Sequence, residues 1–489
     1  MYNRRQFISL AALGLACAPA LADSATFRRF RDALERDPRL SVFADASGDQ
    51  SGPASVGGRL PTDLRGVFYR NGPGRFELGG ERYHHWFDGD GFAQRWQIAD
   101  GKVRHSGRFV VTQKFSEESR AGQFLYPAFG TGIYRKGFKN NDVINAANTN
   151  LLPFNGSLYA LWEGGSATEL DPATLATRGT KTWRADLKAM PFSAHPKLDP
   201  DGGLWNFGNL PGSDRLAIYR LDAAGQVSRT AMVPVPQLNM VHDFAVSARH
   251  LIFLVPPYDM QAGAASMGES MRWAGDVRPL RVVVVAKDTL ALRRVFELPA
   301  RSVFHLGNAF EDGACTRFDV VLHEGDVLSD LGMKMQGALR SAAESRSSTV
   351  QITLDYATGT VREARLFGVS EFPRVAPQVV SARHRKLVVL GAAGPDMILN
   401  TVNLIDTDSG KADSYHFGPG WQVEEHVLVP RRGARAESDG YLVGVAQDTR
   451  RGQTVLSVFD ARNVKAGPMA LARLSYRAPV CFHGNFLSA

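Results

Sequence analysis

One local pattern returns seven times along the chain: an apolar strand end, an aspartate, a short turn, then a new strand. It reads Ile98-Ala99-Asp100-Gly101, Leu170-Asp171-Pro172, Leu221-Asp222-Ala223-Ala224-Gly225 and Ala286-Lys287-Asp288-Thr289. It returns at Leu354-Asp355-Tyr356-Ala357-Thr358-Gly359, Ile405-Asp406-Thr407-Asp408-Ser409-Gly410 and Phe459-Asp460-Ala461. Aspartate suits the first position because its carboxylate accepts hydrogen bonds from the amides of its own turn. Successive aspartates lie 71, 51, 66, 67, 51 and 54 residues apart, room for several strands per repeat. A loose period of that size predicts an all-β propeller, and seven instances predict seven blades. The intervening chain consists of short β-branched and aromatic runs broken by Gly, Pro, Asn and Asp, such as Arg281 to Ala286, Gln351 to Leu354 and Leu387 to Leu390. Length alone would divide 489 residues into about three domains. A multi-domain β protein of unrelated hairpins therefore competes with one closed propeller, and the uneven spacing leaves it open.

The chain begins with Asn3-Arg4-Arg5-Gln6-Phe7-Ile8, then a mostly apolar run to Ala18, then Ala20-Leu21-Ala22. Charge, a short apolar core and a small-x-small site make an export signal over residues 1–22. The paired arginines point to the twin-arginine route, and hence to a periplasmic or exported protein. Cleavage after Ala22 would leave 467 residues with a charge of +6 and two of the three cysteines, Cys315 and Cys481. At most one internal disulfide is then available. Residues 23–58 read as an arm and linker. Phe27, Phe30 and Leu34 fall at helical spacing, and a polar, Gly-rich stretch runs from Asp45 to Gly58. No run of 18 apolar residues offers a spanning helix. A net charge of +8 without clustered basic residues does not point to nucleic acid.

Of 12 histidines, four follow small or apolar residues as strand ends near a propeller axis would: His195, His242, His305 and His483. They are separated by 47, 63 and 178 residues, so no two share a helix face and an HExxH zinc site is excluded. The other eight, His84, His85, His105, His250, His323, His384, His416 and His426, read as satisfied surface or core imidazoles. Asp88-Gly89-Asp90-Gly91 lacks the remaining ligand positions of a calcium loop and reads as a tight turn. Gly72-Pro73-Gly74 begins no helix, and no P-loop is present, so no nucleotide cofactor is implied.

Several segments occur in a distinctive order: Gly66-Val67-Phe68-Tyr69-Arg70-Asn71-Gly72-Pro73-Gly74, His85-Trp86-Phe87-Asp88-Gly89-Asp90-Gly91, Ala147-Asn148-Thr149 and His242-Asp243-Phe244. They continue with Asn308-Ala309-Phe310-Glu311, Glu371-Phe372-Pro373-Arg374 and His483-Gly484-Asn485-Phe486. Together they resemble the carotenoid cleavage oxygenase (retinal pigment epithelial membrane protein) family, as a bacterial exported member. That family includes apocarotenoid- and stilbene-cleaving enzymes. The resemblance implies a seven-bladed propeller over residues 59–489, with the helical arm and a loop cap over an axial metal site. It implies one Fe(2+) per chain, bound by His195, His242, His305 and His483. Glu163, Glu371 and Glu425 would then orient three of those imidazoles, leaving His195 without a charged partner. Glu425 rather than its neighbour Glu424 matches the family pattern, although a register slip of one would reverse the choice.

The implied reaction is cleavage of a conjugated C=C bond by O2 into two carbonyl products. The substrate expected is a hydrophobic, apocarotenoid-like polyene, with peripheral membrane contact left open. A stilbene or phenylpropenoid is the rival substrate. Stilbene-cleaving relatives carry a lysine directly before the first of the three glutamates, where this chain has Trp162, and a tyrosine upstream that only a shifted Tyr134 would match. A metal-free periplasmic propeller that binds ligands is the rival of another class.

Overall fold

The computed structural model describes residues 20–210, 212–337, 347–394 and 399–489. Most of the expected export signal, residues 1–19, lies outside them. The described chain forms a β-propeller with little helix. Five four-stranded antiparallel sheets follow one another along the sequence, the first spanning residues 150–180 and the fifth 370–416. A nine-stranded sheet gathers both ends of the chain. Its order starts at strand Trp421–Pro430, passes through Gln50–Gly58 and ends with Gly66–Arg75 beside His483–Ser488.

Strand Arg281–Ala286 shows why the runs are continuously β-branched rather than alternating. Val282 and Val284 pack towards the following sheet, whereas Val283 and Val285 pack towards the preceding one. A strand buried on both faces has no solvent side to fill with polar residues. The same arrangement recurs around the ring, with an apolar cluster between each sheet and the next.

All seven aspartates sit between the third and fourth strands of a sheet or half-sheet. Asp171 accepts from the Ala173 and Thr174 amides at 3.0 and 2.8 Å, and Asp355 from Ala357 and Thr358 at 2.9 and 3.1 Å. Asp222, Asp288, Asp406 and Asp460 also accept turn amides. Asp100 departs from this pattern. With Gly101 it makes a two-residue hairpin in which both residues have positive φ, 52° and 71°, the geometry that matches strand twist.

The N-terminal arm is a helix, Ala20–Arg36, followed by a 3-10 turn, Pro38–Phe43. Phe30, Ala33, Leu40 and Phe43 pack with Phe76 and Met335. Residues 50–58, expected to be linker, instead form a strand. Its first half pairs with Lys102–Phe109 and its second with Ala470–Arg473. Its polar, Gly-rich composition fits because an outer strand has little to bury. Cys315 and Cys481 are both free.

Candidate metal centre

Four of the sheets each bring one histidine to the axis. His195 precedes the short strand Lys197–Leu198, and the flanking Ala194 carbonyl is tied by the Asn150 side chain at 2.8 Å. His242 directly precedes strand Phe244–Val246 by two residues. His305 lies inside strand Ser302–Asp312, where the pairing register shifts between Val303 and Leu306. His483 opens the last strand opposite Asn71, whose carbonyl also accepts from the Phe482 amide at 2.8 Å. Such bulges re-aim side chains, and they recur at this centre. Register shifts also fall between Glu371 and Arg374, and between Val423 and His426.

All four histidines are buried. Their Nε2 atoms lie 3.0 Å (His195 to His242), 3.3 Å (His242 to His305) and 3.1 Å (His305 to His483) apart. The four ligand atoms all fall within 4.8 Å of one another. The opposite ring nitrogens explain why they converge. His242 Nδ1 meets Glu163 at 2.6 Å, His305 Nδ1 meets Glu371 at 2.6 Å and His483 Nδ1 meets Glu425 at 3.1 Å. A carboxylate at Nδ1 fixes the proton there and leaves the Nε2 lone pair facing inwards. Buried lone pairs aimed at one point repel unless a cation lies between them. Two imidazoles bound at about 2.1 Å and at right angles would have nitrogens about 3.0 Å apart. The residues therefore fit a metal ion.

Burial and the neighbouring carboxylates pull the protonation of these groups in opposite directions. Burial, reinforced by the neighbouring imidazoles, pushes His195 well below the usual histidine range. Burial lowers His483 to about 4 despite Glu425. Burial would also depress His242, but Glu163 outweighs it and raises the group. Burial opposes ionisation of Glu371, yet His305 and His323 hold it below the usual carboxylate range. Arg374 and His483 do the same for buried Glu425.

Glu424 turns away from the centre. It binds Arg70 at 3.1 Å, Gln447 at 2.7 Å and the Cys481 amide at 2.9 Å. The bulge lets two consecutive glutamates both be buried with opposite duties. His195 Nδ1 is 3.9 Å from Asp243, too far for a hydrogen bond. Asp243 is instead engaged by Lys197 at 2.7 Å and by the Leu306 amide at 2.9 Å.

The centre borders a cavity of about 1520 Å3. His242, His305 and His483 reach its wall with Glu163 and Glu371, among Phe87, Phe129, Phe304, Phe372 and Phe482. Phe372 lies nearly parallel to His305 at 5.1 Å and holds a positive φ of 57°. That conformation is costly for a bulky side chain. Trp162, beside Glu163, also lines the cavity, as do Tyr134 and Pro127 to Phe129. Phe124 stacks on Tyr83 elsewhere, and Val255 and Tyr258 are core residues.

Among the remaining histidines, His85, His105, His250, His384 and His426 are satisfied within the fold. His323 is not simply one of these. It lines the cavity and binds Glu371 at 2.7 Å. Its sequence setting, the end of an apolar strand, resembles that of the four axial histidines. Asp88 and Asp90 serve structure, Asp88 by accepting from Gly130 and Thr131, Asp90 by pairing with Arg75 and Lys114.

A family model described as retinal pigment epithelial membrane protein matches residues 43–488. Apocarotenoid-15,15'-oxygenase of Synechocystis is 31% identical over 457 residues, covering 88% of this chain and 92% of that protein. Lignostilbene-alpha,beta-dioxygenase isozyme III of Sphingomonas paucimobilis is 29% identical, with 89% and 93% covered. The crystal structure of cobalt-substituted Synechocystis apocarotenoid oxygenase superposes with a TM-score of 0.83 at 28% identity, covering 92% of this chain and 98% of that one. The match spans the propeller strands and all four axial histidines, and the chain belongs to the retinal pigment epithelial membrane protein family, the carotenoid cleavage oxygenases.

Proposed function

We propose that the protein is a non-haem Fe(II) oxygenase that cleaves a conjugated C=C bond of a long apolar substrate, using O2 to yield two carbonyl products. The observation that carries this reading is the convergence of four buried imidazoles, three of which reach the wall of a large aromatic cavity. His195, His242, His305 and His483 would hold the metal, with Glu163, Glu371 and Glu425 fixing three of the imidazoles. Imidazole donors suit several metals, and family membership favours iron. Iron bound there supplies the binding and activation of O2 beside an alkene. The chain's own residues do the rest. The carboxylates keep the Nε2 atoms of His242, His305 and His483 unprotonated, and Phe87, Phe304, Phe372 and Phe482 exclude water and leave an apolar polyene as the fitting occupant. No side-chain nucleophile or proton relay is needed.

The cavity exceeds the roughly 300–1,000 Å3 usual for drug-sized ligands, which supports an apocarotenoid over a compact phenol. No lysine lines it among the described residues, so a phenolate would lack an ammonium partner. Iron-loaded protein offered an apocarotenal and a hydroxystilbene should cleave the apocarotenal. Cleavage of the stilbene alone would transfer the assignment to the phenolic class.

A seven-bladed count is part of the reading. The two halves of the nine-stranded sheet enclose an apolar cluster of their own, joining Phe68, Trp96 and Val103 to Val427, Val443 and Val458. That cluster resembles those between other neighbouring sheets, so the sheet counts as two blades bridged by strand Gln50–Gly58. The segments bearing Phe87, Phe129, Trp273 and Leu328 share an apolar cluster that meets His242 through Phe87 and Phe304, and would form the cap. Exposed Tyr134, Met232, Met260 and Met267 border the cavity and form a rim suited to contact with a membrane that stores the substrate. Residues 1–22 would act as a twin-arginine signal directing export to the periplasm. Replacing Arg4 and Arg5 by lysine should then retain the precursor in the cytoplasm.

A further inference from the structure

Glu371 is a shared carboxylate. Its Oε2 accepts from His305 Nδ1 at 2.6 Å and from the Phe372 amide at 2.7 Å, and its Oε1 accepts from His323 Nε2 at 2.7 Å. Two imidazoles therefore approach one carboxylate through opposite ring nitrogens. His323 ends the second strand of the fourth sheet, paired with Ser302 on one side and Ser347 on the other. Glu371 belongs to the first strand of the fifth sheet. The bond thus crosses between sheets at the cavity wall. The Phe304 ring meets the His323 ring edge-on at 5.9 Å and limits its rotation.

We propose that His323 is a positioning residue of the metal centre, holding Glu371 in the one orientation from which it fixes His305. The inference rests on the reading of the four axial histidines as metal ligands. Glutamate has three rotatable bonds, and a side chain free to turn about them resists being held in one orientation. Glu425 is held from several sides, by Arg374 at 3.0 Å and the Gly484 amide at 2.9 Å besides His483. Glu371 takes the Phe372 amide and His305 on Oε2, and His323 is the donor that occupies its Oε1. The two anchors differ in chemistry. The guanidinium at Glu425 offsets carboxylate charge, whereas an imidazole N–H orients Glu371 with less loss of its pull on the ligand proton. His323 therefore acts on His305 through Glu371 and makes no metal contact itself.

Co(II) titration of metal-free full-length protein, followed by the visible absorption of the bound ion, tests this without catalysis. The variants are His323→Phe, His323→Gln, Glu371→Gln and the double variant His323→Phe/Glu371→Gln, each checked for a cooperative unfolding transition. His323→Phe should weaken Co(II) binding about tenfold and alter the spectrum. His323→Gln, whose amide can replace the Nε2–H, should restore most of the affinity. Adding His323→Phe to Glu371→Gln should cause no further loss. Wild-type affinity in His323→Phe, no rescue by glutamine, or an additive loss in the double variant would each overturn the proposal. Absence of Co(II) binding by the wild-type protein would instead overturn the ligand reading beneath it.

Discussion

At the scale of single residues, two neighbouring glutamates show how far local identity falls short of role. Glu424 and Glu425 are both buried, yet one balances Arg70 and the other holds His483. Glu425→Gln should weaken metal binding by about 10- to 100-fold with little change in fold, as measured by metal titration. Glu424→Gln should spare metal affinity but lower the unfolding midpoint, because Arg70 loses its buried counter-charge, a change of about 3 kcal/mol. A sequence motif alone does not separate these outcomes; the bulge between Val423 and His426 does. Buried histidines outside the axial set contribute to acid sensitivity. Burial lowers both His105 and His426 to about 3 from 6.5. Below pH 6.5 the unfolded chain binds protons that the folded one refuses, so their contribution to stability is full above that pH and falls as pH drops towards 3. Denaturant midpoints should decline from pH 7 to pH 5, and the decline should be shallower in His426→Gln.

At the scale of elements, the strands were legible because β-branched runs and aspartate turns follow directly from burial on two faces and from turn amides. The departures from regular period were not. His305, Glu371 and Glu425 all stand at register shifts, and a pattern of period two carries no record of where it slips. The linker expectation for residues 50–58 failed for a related reason: a solvent-facing strand needs no apolar residues, so its composition is that of a loop. The Arg-Asn-Gly-Pro-Gly run has a packing cause that only the pairing reveals. A Cβ on Gly72 would meet the Val480 carbonyl and the Cys481 Cα, just ahead of His483. Gly72→Ala should therefore cost about 1–3 kcal/mol and reduce metal occupancy without altering any ligand. Calorimetry alongside metal analysis would check both effects.

At the scale of the whole molecule, the length that suggested several domains resolves into one propeller because both ends of the chain enter the same sheet. Strand His483–Ser488 pairs with Gly66–Arg75 and carries an axial histidine, so ring closure and the metal centre depend on one short segment. Removing residues 483–489 should expose the edge of strand Gly66–Arg75, lower the melting temperature and promote association, as light scattering during thermal unfolding would register. The axial set was legible as four histidines on different repeats, whereas His323 escaped notice because its role depends on a carboxylate from the neighbouring sheet. Metal stoichiometry of purified full-length protein, beside a His242→Ala variant with an intact β-sheet spectrum, tests the central claim most directly. The account predicts one iron per chain in the first and none in the second. Iron retained by His242→Ala, or absent from wild-type protein supplied with Fe(II), would contradict it.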